Sequence, residues 1–190
     1  MPVRLFTTRR FGDARGWFAE TYNVRRFATA GLDIQFVQDN QSSSKAAMTL
    51  RGIHFQKPPH AQAKLVRCLR GRIFDIAVDL RPQSPTFRAW IGVELSAEGG
   101  EQLFVPAGFG HAYLTLEPDC EVAYKVDEYY EPASESGIRW DDPQLAIAWP
   151  LDGRAPILSD KDSALPPLEG SVLDFPNDGA PFGDLVPHAL

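Results

Sequence analysis

Residues 71–82, with the sequence GRIFDIAVDLRP, fall into two distinct rows when every second residue is grouped. One row is Arg72, Phe74, Ile76, Val78 and Leu80, and the other is Ile73, Asp75, Ala77 and Asp79. Successive side chains of a β-strand point to opposite faces of a sheet, whereas a helix returns to the same face every third or fourth residue. The segment is therefore predicted to be a strand with one apolar face and one mixed face.

Further segments of the same kind follow, with turns between them. They are RAWIGVEL, EQLFVPAG, HAYLTL and CEVAYKV. One short helix is well delimited in NVRRFATAG, where Asn23 is suited to the N-cap and Gly31 lies where a C′ glycine belongs. Many short strands with one weak helix predict an all-β, antiparallel sandwich or barrel of the jelly-roll kind.

The length of the chain indicates one domain. A chain of 190 residues can form one well-buried core but is too short for two ordinary domains. From about Asp152 the sequence is rich in Pro, Gly and Asp and has little periodicity, so a peripheral packed segment is expected there. We predict a single domain over residues 1–190, with a flexible tail from about residue 175 to 190.

The composition, with 44% hydrophobic and 23% charged residues, is typical of a soluble globular protein. The sequence contains neither a signal-peptide segment nor an apolar run of about 18 residues, so we expect a cytoplasmic protein without a membrane partner. The net charge of -6 argues against a nucleic-acid partner but allows a small anionic ligand at a local arginine cluster. Cys68 and Cys120 lie in apolar alternating segments and are expected to be buried free thiols.

The stretch LRGIHFQKPPHAQAKLVR, residues 50–67, contains two of the four histidines and raises the question of a metal site. Metal-binding jelly rolls usually supply H-x-H, because residues i and i+2 of a strand share a face. Here Gln56 follows His54 at that spacing, and His60 lies beyond two prolines. The later half of the chain resembles the second cupin motif, G-x5-P-x-G-x2-H, in Gly100, Pro106, Gly108 and His111. The sequence favours the fold without the metal, and a metal-binding cupin is the weaker alternative.

A structural role is the alternative for each histidine, since a histidine in a core strand is more often a packing residue than a catalyst. That alternative is favoured for His60 and His188, whereas for His111 the two interpretations are balanced. His54 differs because a dense set of polar residues gathers around it. These residues are Gln38, Asn40, Gln41 and Arg51.

Lys64 and Tyr124 both lie in apolar rows. Lys64 is aligned with Val66 and Cys68, and a lysine there must meet an anion or a developing negative charge, because burying it unpaired is expensive. Tyr124 is either a packed phenol or a proton donor, since a phenol of pKa about 10 is protonated at neutral pH. Together with His54 they provide the base, cation and phenol that proton abstraction next to a carbonyl requires. Reprotonation from the opposite face would invert the carbon, which is an epimerisation without metal or nicotinamide.

Longer stretches carry a family resemblance over roughly residues 10–165. They are DARGWFAETYN, FVQDNQSSS, LRGIHFQ, QAKLVRCLRGRIFDIAVDLR, SPTF, GEQLFVPAGFGHAYL, YKVDEYYEPASESGIRWDDP and LSDKD. In these stretches the sequence resembles the dTDP-4-dehydrorhamnose 3,5-epimerases and their relatives in nucleotide-sugar biosynthesis. The stretches run in the family order, and several are long and specific.

The resemblance implies a cupin-like antiparallel jelly-roll barrel with a few short helices, without metal or cofactor. It also implies a homodimer in which the N-terminal segment reaches the neighbouring site. By the same resemblance His54 is the general base and Asp162 the carboxylate that orients it. Tyr124 is the general acid, and Lys64 lies at the keto or enolate oxygen.

Other residues match family positions that bind the nucleotide sugar. They are Arg15, Glu20, Gln38, Asp39, Asn40, Arg51, Lys64, His111, Glu135 and Lys161. Arg15 and Arg51 suit a pyrophosphate, because planar charged donors engage its oxygens well. Phe18 and Tyr130 are candidates to stack on the base, and packing explains each of them equally well.

The implied function is inversion of C3 and C5 of a dTDP-4-keto-6-deoxyhexose, from dTDP-4-dehydro-6-deoxy-glucose to dTDP-4-dehydro-L-rhamnose. One alternative is an epimerase that acts at C3 or C5 alone, because such relatives keep most of these residues. Another is a non-catalytic sugar-binding jelly roll, which would keep the arginines and aromatics. That protein would have no need of His54, Lys64 and Tyr124 together.

Overall fold

The computed structural model describes residues 1–177, 182 and 185–190 of the chain. The strands in these residues are β1 (Arg4–Thr7), β2 (Phe11–Asp13), β3 (Gly16–Phe18), β4 (Gln38–Ser44), β5 (Leu50–Gln56), β6 (Lys64–Arg70), β7 (Arg72–Asp79), β8 (Trp90–Ser96), β9 (Glu101–Val105), β10 (Phe109–Thr115), β11 (Cys120–Val126), β12 (Glu135–Gly137) and β13 (His188–Ala189). The helices are α1 (Val24–Thr29) and α2 (Asp160–Ser163). Neither of these helices has the length and apolar character needed to span a membrane.

Two sheets enclose a common core. The six-stranded sheet has the order β13-β1-β9-β6-β11-β4, and the five-stranded sheet has the order β12-β5-β10-β7-β8. Neighbouring strands are antiparallel except for β13, which runs parallel to β1. A separate hairpin is formed by β2 and β3. The predicted all-β antiparallel fold is confirmed, and the strands predicted from alternation correspond to β7 through β11.

The two rows of β7 pack on opposite sides of its sheet. Ile73 and Ala77, from the mixed row, join the cluster between the two sheets. Ile76 and Val78, from the apolar row, pack outside the barrel against the segment that follows β12. Asp75 belongs to the mixed row and is buried inside the barrel. Both faces of β7 are therefore covered, and the face that carries the carboxylate is the inner one.

Part of the outer face of the six-stranded sheet, at β1, β9 and β6, is covered by α1. The side chain of Asn23 accepts hydrogen bonds from two backbone amides of the first turn, and Gly31 follows the helix with a φ of 84°. Both predicted ends of the helix are thus confirmed. Phe27 is buried against Phe6 of β1, with 5.0 Å between ring centroids. A helix this short depends on such packing for its stability.

The segment after Asp152 packs on the barrel. Ile157 forms a bridge with Thr49 next to β5, and Leu168 and Phe175 are buried in the cluster outside the five-stranded sheet. The predicted flexible tail includes residues 178–181, 183 and 184, which lie outside the described residues. In its described part, β13 pairs with β1.

β5 approaches β10 closely at Gly52, where the pairing is irregular. His54 pairs with His111 and Arg51 pairs with Tyr113, so β5 has one more residue than β10 over this distance. Gly52 has a φ of 117°, and a Cβ there would lie 2.6 Å from the carbonyl oxygen of His111. The extra residue turns Arg51 and His54 toward the same inner face, although strict alternation places residues three apart on opposite faces.

We predict that Gly52→Ala destabilises the fold more than Gly153→Ala. Gly153 also has a positive φ, of 77°, but nothing lies within 4 Å of a Cβ added there. The unfavourable φ costs about 1–2 kcal/mol in either variant. Overpacking against the His111 carbonyl adds about 1–3 kcal/mol at Gly52 alone. Urea denaturation measures the difference, and equal midpoints would show that β5 and β10 do not require this close approach.

Candidate active site

A cavity of about 210 Å³ lies inside the barrel between the ends of several strands. Its lining is Gln38, Asn40, His54, Phe55, Gln56, Gln62, Lys64, Tyr124, Tyr130 and Glu135. This lining is largely polar, whereas the cluster that fills the rest of the space between the sheets is largely apolar. The residues predicted as base, cation and acid therefore surround one cavity.

His54 and Asp162 form a close pair. The Nε2 atom of His54 lies 2.5 Å from Oδ1 of Asp162, which is buried. Asp162 belongs to α2, where the Oγ of Ser159 accepts a hydrogen bond from its backbone amide. Burial raises the pKa of Asp162, but the hydrogen bond and charge of His54 outweigh burial and hold that pKa below its usual range. The ionised carboxylate favours hydrogen on Nε2, so Nδ1 of the neutral ring is able to accept a proton.

Lys64 supplies a positive charge to the cavity. Its Nζ lies 3.5 Å from the backbone oxygen of His54 and 5.9 Å from the ring centroid of Tyr124. Burial lowers the pKa of Lys64 to about 8, while the charges of Asp75 and Glu135 act in the opposite direction. The amine is therefore mostly protonated at neutral pH, and its charge is poorly screened by water.

Tyr124 extends from β11 into the cavity and packs against the interior core. In the six-stranded sheet it lies between Asn40 of β4 and Val66 of β6. Burial raises the pKa of Tyr124, and the positive charge of Arg51 offsets only part of that effect. The phenol is therefore protonated at neutral pH and is able to donate.

A second histidine–carboxylate pair lies beside the first. His111 of β10 is the cross-strand neighbour of His54, and its Nε2 lies 2.9 Å from Oδ1 of Asp75. Burial lowers the pKa of His111, and the nearby carboxylate of Asp75 opposes that shift without cancelling it. Asp75 was not among the predicted site residues. Its only signal in the sequence is an acidic residue in a strand row, which is equally typical of a solvated strand face.

The rim of the cavity is held together by Glu135. Its carboxylate accepts hydrogen bonds from the hydroxyl of Tyr130 at 2.8 Å and from Nζ of Lys161 at 2.5 Å. Burial raises the pKa of Glu135, but these two partners outweigh it and lower the pKa overall. On β4, the side chain of Gln38 donates to that of Asn40 at 2.9 Å. The rim therefore presents a phenol ring, an ammonium group and two amides.

Three predicted substrate-binding residues lie away from this cavity. Asp39 faces the outside of β4, because adjacent residues of a strand point to opposite sides, and it pairs with Lys125 at 2.8 Å. Arg15 lies in the exposed turn of the β2–β3 hairpin and pairs with Asp13 at 2.6 Å. Glu20 contacts residues at the start of α1. The chain's own cavity does not include any of the three.

Arg51, His60 and His188 lie outside the lining of the cavity. The guanidinium of Arg51 donates to the backbone oxygen of Ser43 at 3.1 Å, on the inner face of the barrel. His60 lies in the turn after β5, 4.0 Å from Glu128, and His188 is exposed on β13. Among the described residues, no group of three His, Cys, Asp or Glu side chains is arranged to hold a metal ion.

Gln56 is a buried link between two loops at the cavity. Its Nε2 donates to the backbone oxygens of His60 at 2.7 Å and Tyr129 at 3.1 Å, and its Oε1 accepts from the amide of Glu131 at 2.7 Å. The side chain therefore holds the segment that carries Tyr130. From the sequence, only the absence of a second histidine at this position was apparent, because the distant partners are backbone atoms that leave no residue pattern.

The fold and the site together define a cupin-like jelly-roll protein with an acid–base site inside its barrel. A family model described as dTDP-4-dehydrorhamnose 3,5-epimerase matches residues 2–170 of the chain. The chain belongs to this family.

Individual relatives agree with this assignment. The chain is 50% identical over 161 residues to the dTDP-4-dehydrorhamnose 3,5-epimerase of Pseudomonas aeruginosa, covering 84% of this chain and 87% of that protein. A crystal structure of the enzyme of the same name from Bacillus anthracis, with TDP and PPi bound, is 52% identical with a TM-score of 0.84, over 86% of this chain and 93% of that one. The dTDP-6-deoxy-D-glucose-3,5-epimerase of Legionella pneumophila, in complex with dTDP-4-keto-L-rhamnose, is 40% identical with a TM-score of 0.81, over 88% and 93%. The predicted family and cupin-like fold are confirmed.

We predict that Gln56→Leu loosens the cavity rim. Three partly buried backbone groups would lose their partner, at a cost of about 1–3 kcal/mol for each group that water does not reach in the variant. Hydrogen–deuterium exchange is expected to show faster exchange at the amide of Glu131, together with a lower denaturation midpoint. Gln102→Leu is the matched control, because Gln102 is also buried but donates to Thr21 instead. Unchanged protection at Glu131 in Gln56→Leu would contradict the proposed link.

Proposed function

We propose that this chain inverts C3 and C5 of a dTDP-4-keto-6-deoxyhexose, converting dTDP-4-dehydro-6-deoxy-glucose to dTDP-4-dehydro-L-rhamnose. The observation that carries the proposal is the arrangement of a paired base, an ammonium group and a phenol around one cavity, in a chain of the epimerase family. Each of these groups has a defined task in moving a proton next to a ketone.

The reaction begins at the hydrogens that the C4 ketone acidifies. His54 takes a proton from the carbon, and Asp162 stabilises the imidazolium that forms. The electron pair of the broken C–H bond moves toward the C4 oxygen, where the charge of Lys64 stabilises the enolate. Tyr124 then donates a proton to the same carbon from the other face, which inverts it. The imidazolium returns its proton to solvent, and the phenolate takes one up.

The nucleotide part of the substrate belongs at the rim. Relatives were crystallised with TDP and PPi and with dTDP-4-keto-L-rhamnose, which supports a dTDP-sugar as the substrate class. Lys161 at the rim and Arg51 beside the cavity supply positive charge for the pyrophosphate. Tyr130 presents an aromatic ring at the same rim, which suits stacking on the base.

The active unit in this proposal is a homodimer in which the N-terminal segment of one chain completes the neighbouring site. The β2–β3 hairpin is exposed along its whole length and carries Phe11, Trp17 and Phe18, with 50%, 58% and 69% of their surfaces exposed. So much exposed aromatic surface is typical of an interaction site. Arg15 in the hairpin turn and the nearby Glu20 lie outside their own chain's cavity, which leaves them available to a second copy.

The proposed compartment is the cytoplasm. Cys68 and Cys120 are both buried and free, as their apolar rows predicted, and free thiols are typical of a reducing environment. The net charge of -6 gives no support for a nucleic-acid partner.

Incubation with dTDP-4-keto-6-deoxyglucose in D2O is expected to place deuterium at both C3 and C5, detected by NMR. His54→Ala should slow exchange at both carbons by about 10²–10⁴-fold, because the variant loses the imidazole that takes the proton in this proposal. Tyr124→Phe should still allow exchange, since His54 can return a proton on the face from which it took one, but net inversion should be impaired.

His60→Ala is the matched control, because it removes a nearby histidine that lies in a surface turn, and it should keep the full rate. Near-normal exchange in His54→Ala would eliminate His54 as the base. Label at a single carbon would instead support the narrower epimerase. Binding of the dTDP-sugar without any label would support the non-catalytic sugar-binding protein.

Mixing Arg15→Ala and His54→Ala subunits is expected to restore activity that neither variant has alone. In a mixed dimer, the site with an intact base receives the intact arginine from the other chain. Random pairing makes half the dimers mixed, each with one complete site, so the activity should approach about a quarter of wild type. The rate is measured after co-refolding of the two variants.

A mixture of His54→Ala with Tyr124→Phe is the control, because both residues belong to one chain's cavity and no complete site can form. If the Arg15→Ala and His54→Ala mixture gave only the average of the two separate rates, Arg15 would not serve the neighbouring site.

A further inference from the structure

Asp75 is a buried carboxylate for which the proposed reaction gives no task. Its Oδ1 accepts from Nε2 of His111 at 2.9 Å, and the side chain has no exposed surface. Its Oδ2 is buried and has no hydrogen-bond partner within the described part of the chain. The neighbours in its row, Ile73 and Ala77, pack in the apolar core. A buried, half-satisfied carboxylate is costly compared with an apolar residue, so its presence needs a reason beyond packing.

We propose that Asp75 is a positioning residue of the active site, which fixes the tautomer of His111 and keeps the Lys64 side chain in its charged form. The proposal deepens the function proposed above and rests on it for the consequence in catalysis. The electrostatic part concerns the substrate-free protein and is tested separately.

The first task concerns His111. Burial keeps its imidazole neutral at neutral pH, since the pKa of His111 lies below its usual value. A neutral ring has a single N–H, and the carboxylate of Asp75 draws that hydrogen to Nε2. Nδ1 then carries a lone pair and can accept a hydrogen bond from a sugar hydroxyl. Without Asp75 the ring would be free to place its hydrogen on either nitrogen.

The second task concerns Lys64, which must be charged to stabilise an enolate. The titratable groups around it are His54 of β5, Asp75 of β7, His111 of β10, Tyr124 of β11 and Glu135 of β12. Its neighbour on β9 is apolar, and β4 presents amides. Lys64 Nζ contacts the backbone oxygen of His54, and the cross-strand neighbour of His54, His111, is bonded to Asp75, so the Asp75 carboxylate lies on the same inner face as Lys64. The other nearby carboxylate, Glu135, is already occupied by Lys161 and Tyr130. The negative charge of Asp75 therefore opposes loss of the Lys64 proton and raises the Lys64 pKa against the effect of burial.

Asp75→Asn separates the charge from the hydrogen bond. The amide oxygen of asparagine can still accept from His111, and the volume hardly changes, so the variant mainly removes a negative charge. A lysine that loses a nearby negative charge has a lower pKa. We expect the Lys64 pKa to fall by about one unit or more, measured by NMR titration of lysines labelled at the ε-carbon without substrate. The Lys64 signal is identified by its absence in Lys64→Arg.

Activity should change with pH in the same direction. A fall of the Lys64 pKa from about 8 by one unit reduces the charged fraction roughly fivefold at pH 8 and hardly at all at pH 6. Asp75→Asn should therefore lose about fivefold in kcat/KM relative to wild type at pH 8 and recover most of it at pH 6. A purely structural defect would lower activity at both pH values. Glu94→Gln is the control, because it removes the same charge from an exposed position on β8 of the same sheet and should leave the Lys64 pKa unchanged.

An unchanged Lys64 pKa in folded Asp75→Asn would overturn the inference about charge, even if the enzyme epimerises its substrate as proposed. If the pKa falls and no dTDP-sugar is epimerised, the electrostatic inference stands and the proposed function fails.

A measurement on the unmodified protein covers the case in which Asp75→Asn does not fold. Nitrogen-15 shifts of His111 at neutral pH should show hydrogen on Nε2 and none on Nδ1. Hydrogen on Nδ1, or on both nitrogens, would overturn the proposed role of Asp75 toward His111.

Discussion

Removal from water is the constraint that shapes the inside of this barrel. The polar groups there are largely shielded from water, and several of them show a specific compensation for the lost hydration. Asp162 is paired with His54, and Lys64 lies in the field of two carboxylates. Tyr124 compensates differently, because burial favours its neutral form. Burying these groups in low-dielectric surroundings costs folding free energy. The same surroundings strengthen the electrostatic action of the groups on a charge that develops in the substrate.

Much of the fold follows from patterns that are local in sequence. The alternation in β7 predicted a strand and sorted its residues correctly into two rows, and the caps of α1 predicted both ends of that helix. Lys64 and Tyr124 stood out because a cation and a phenol occupy rows that are otherwise apolar. What alternation alone could not decide was which row of β7 faces the interior. Both faces of that strand are covered, so the carboxylate of Asp75 lies inside rather than toward water.

The parts of the site that escaped local patterns depend on long-range packing. The additional residue at Gly52 breaks the alternation, so Arg51 and His54 share a face that their spacing would not give them. Family resemblance grouped Asp39 with its two neighbours on β4, but a strand separates adjacent residues onto opposite sides. Gln56 acts through backbone atoms, which leave no trace in residue identities. Each of these features is set by how segments meet, not by the composition of any one segment.

The short helix α2 carries Lys161 and Asp162 as consecutive residues, one bound to the rim at Glu135 and the other to the imidazole of His54. Four residues form too few internal hydrogen bonds to be stable alone, so the position of this helix depends on contacts with its surroundings, among them those two and its cap. A diphosphate that draws on Lys161 would therefore act on the same rigid unit that orients the imidazole. One peptide bond joins the residue proposed to bind the diphosphate, Lys161, to the carboxylate that pairs with the proposed base, Asp162. Binding energy gained far from the reacting centre can in this way lower the barrier there.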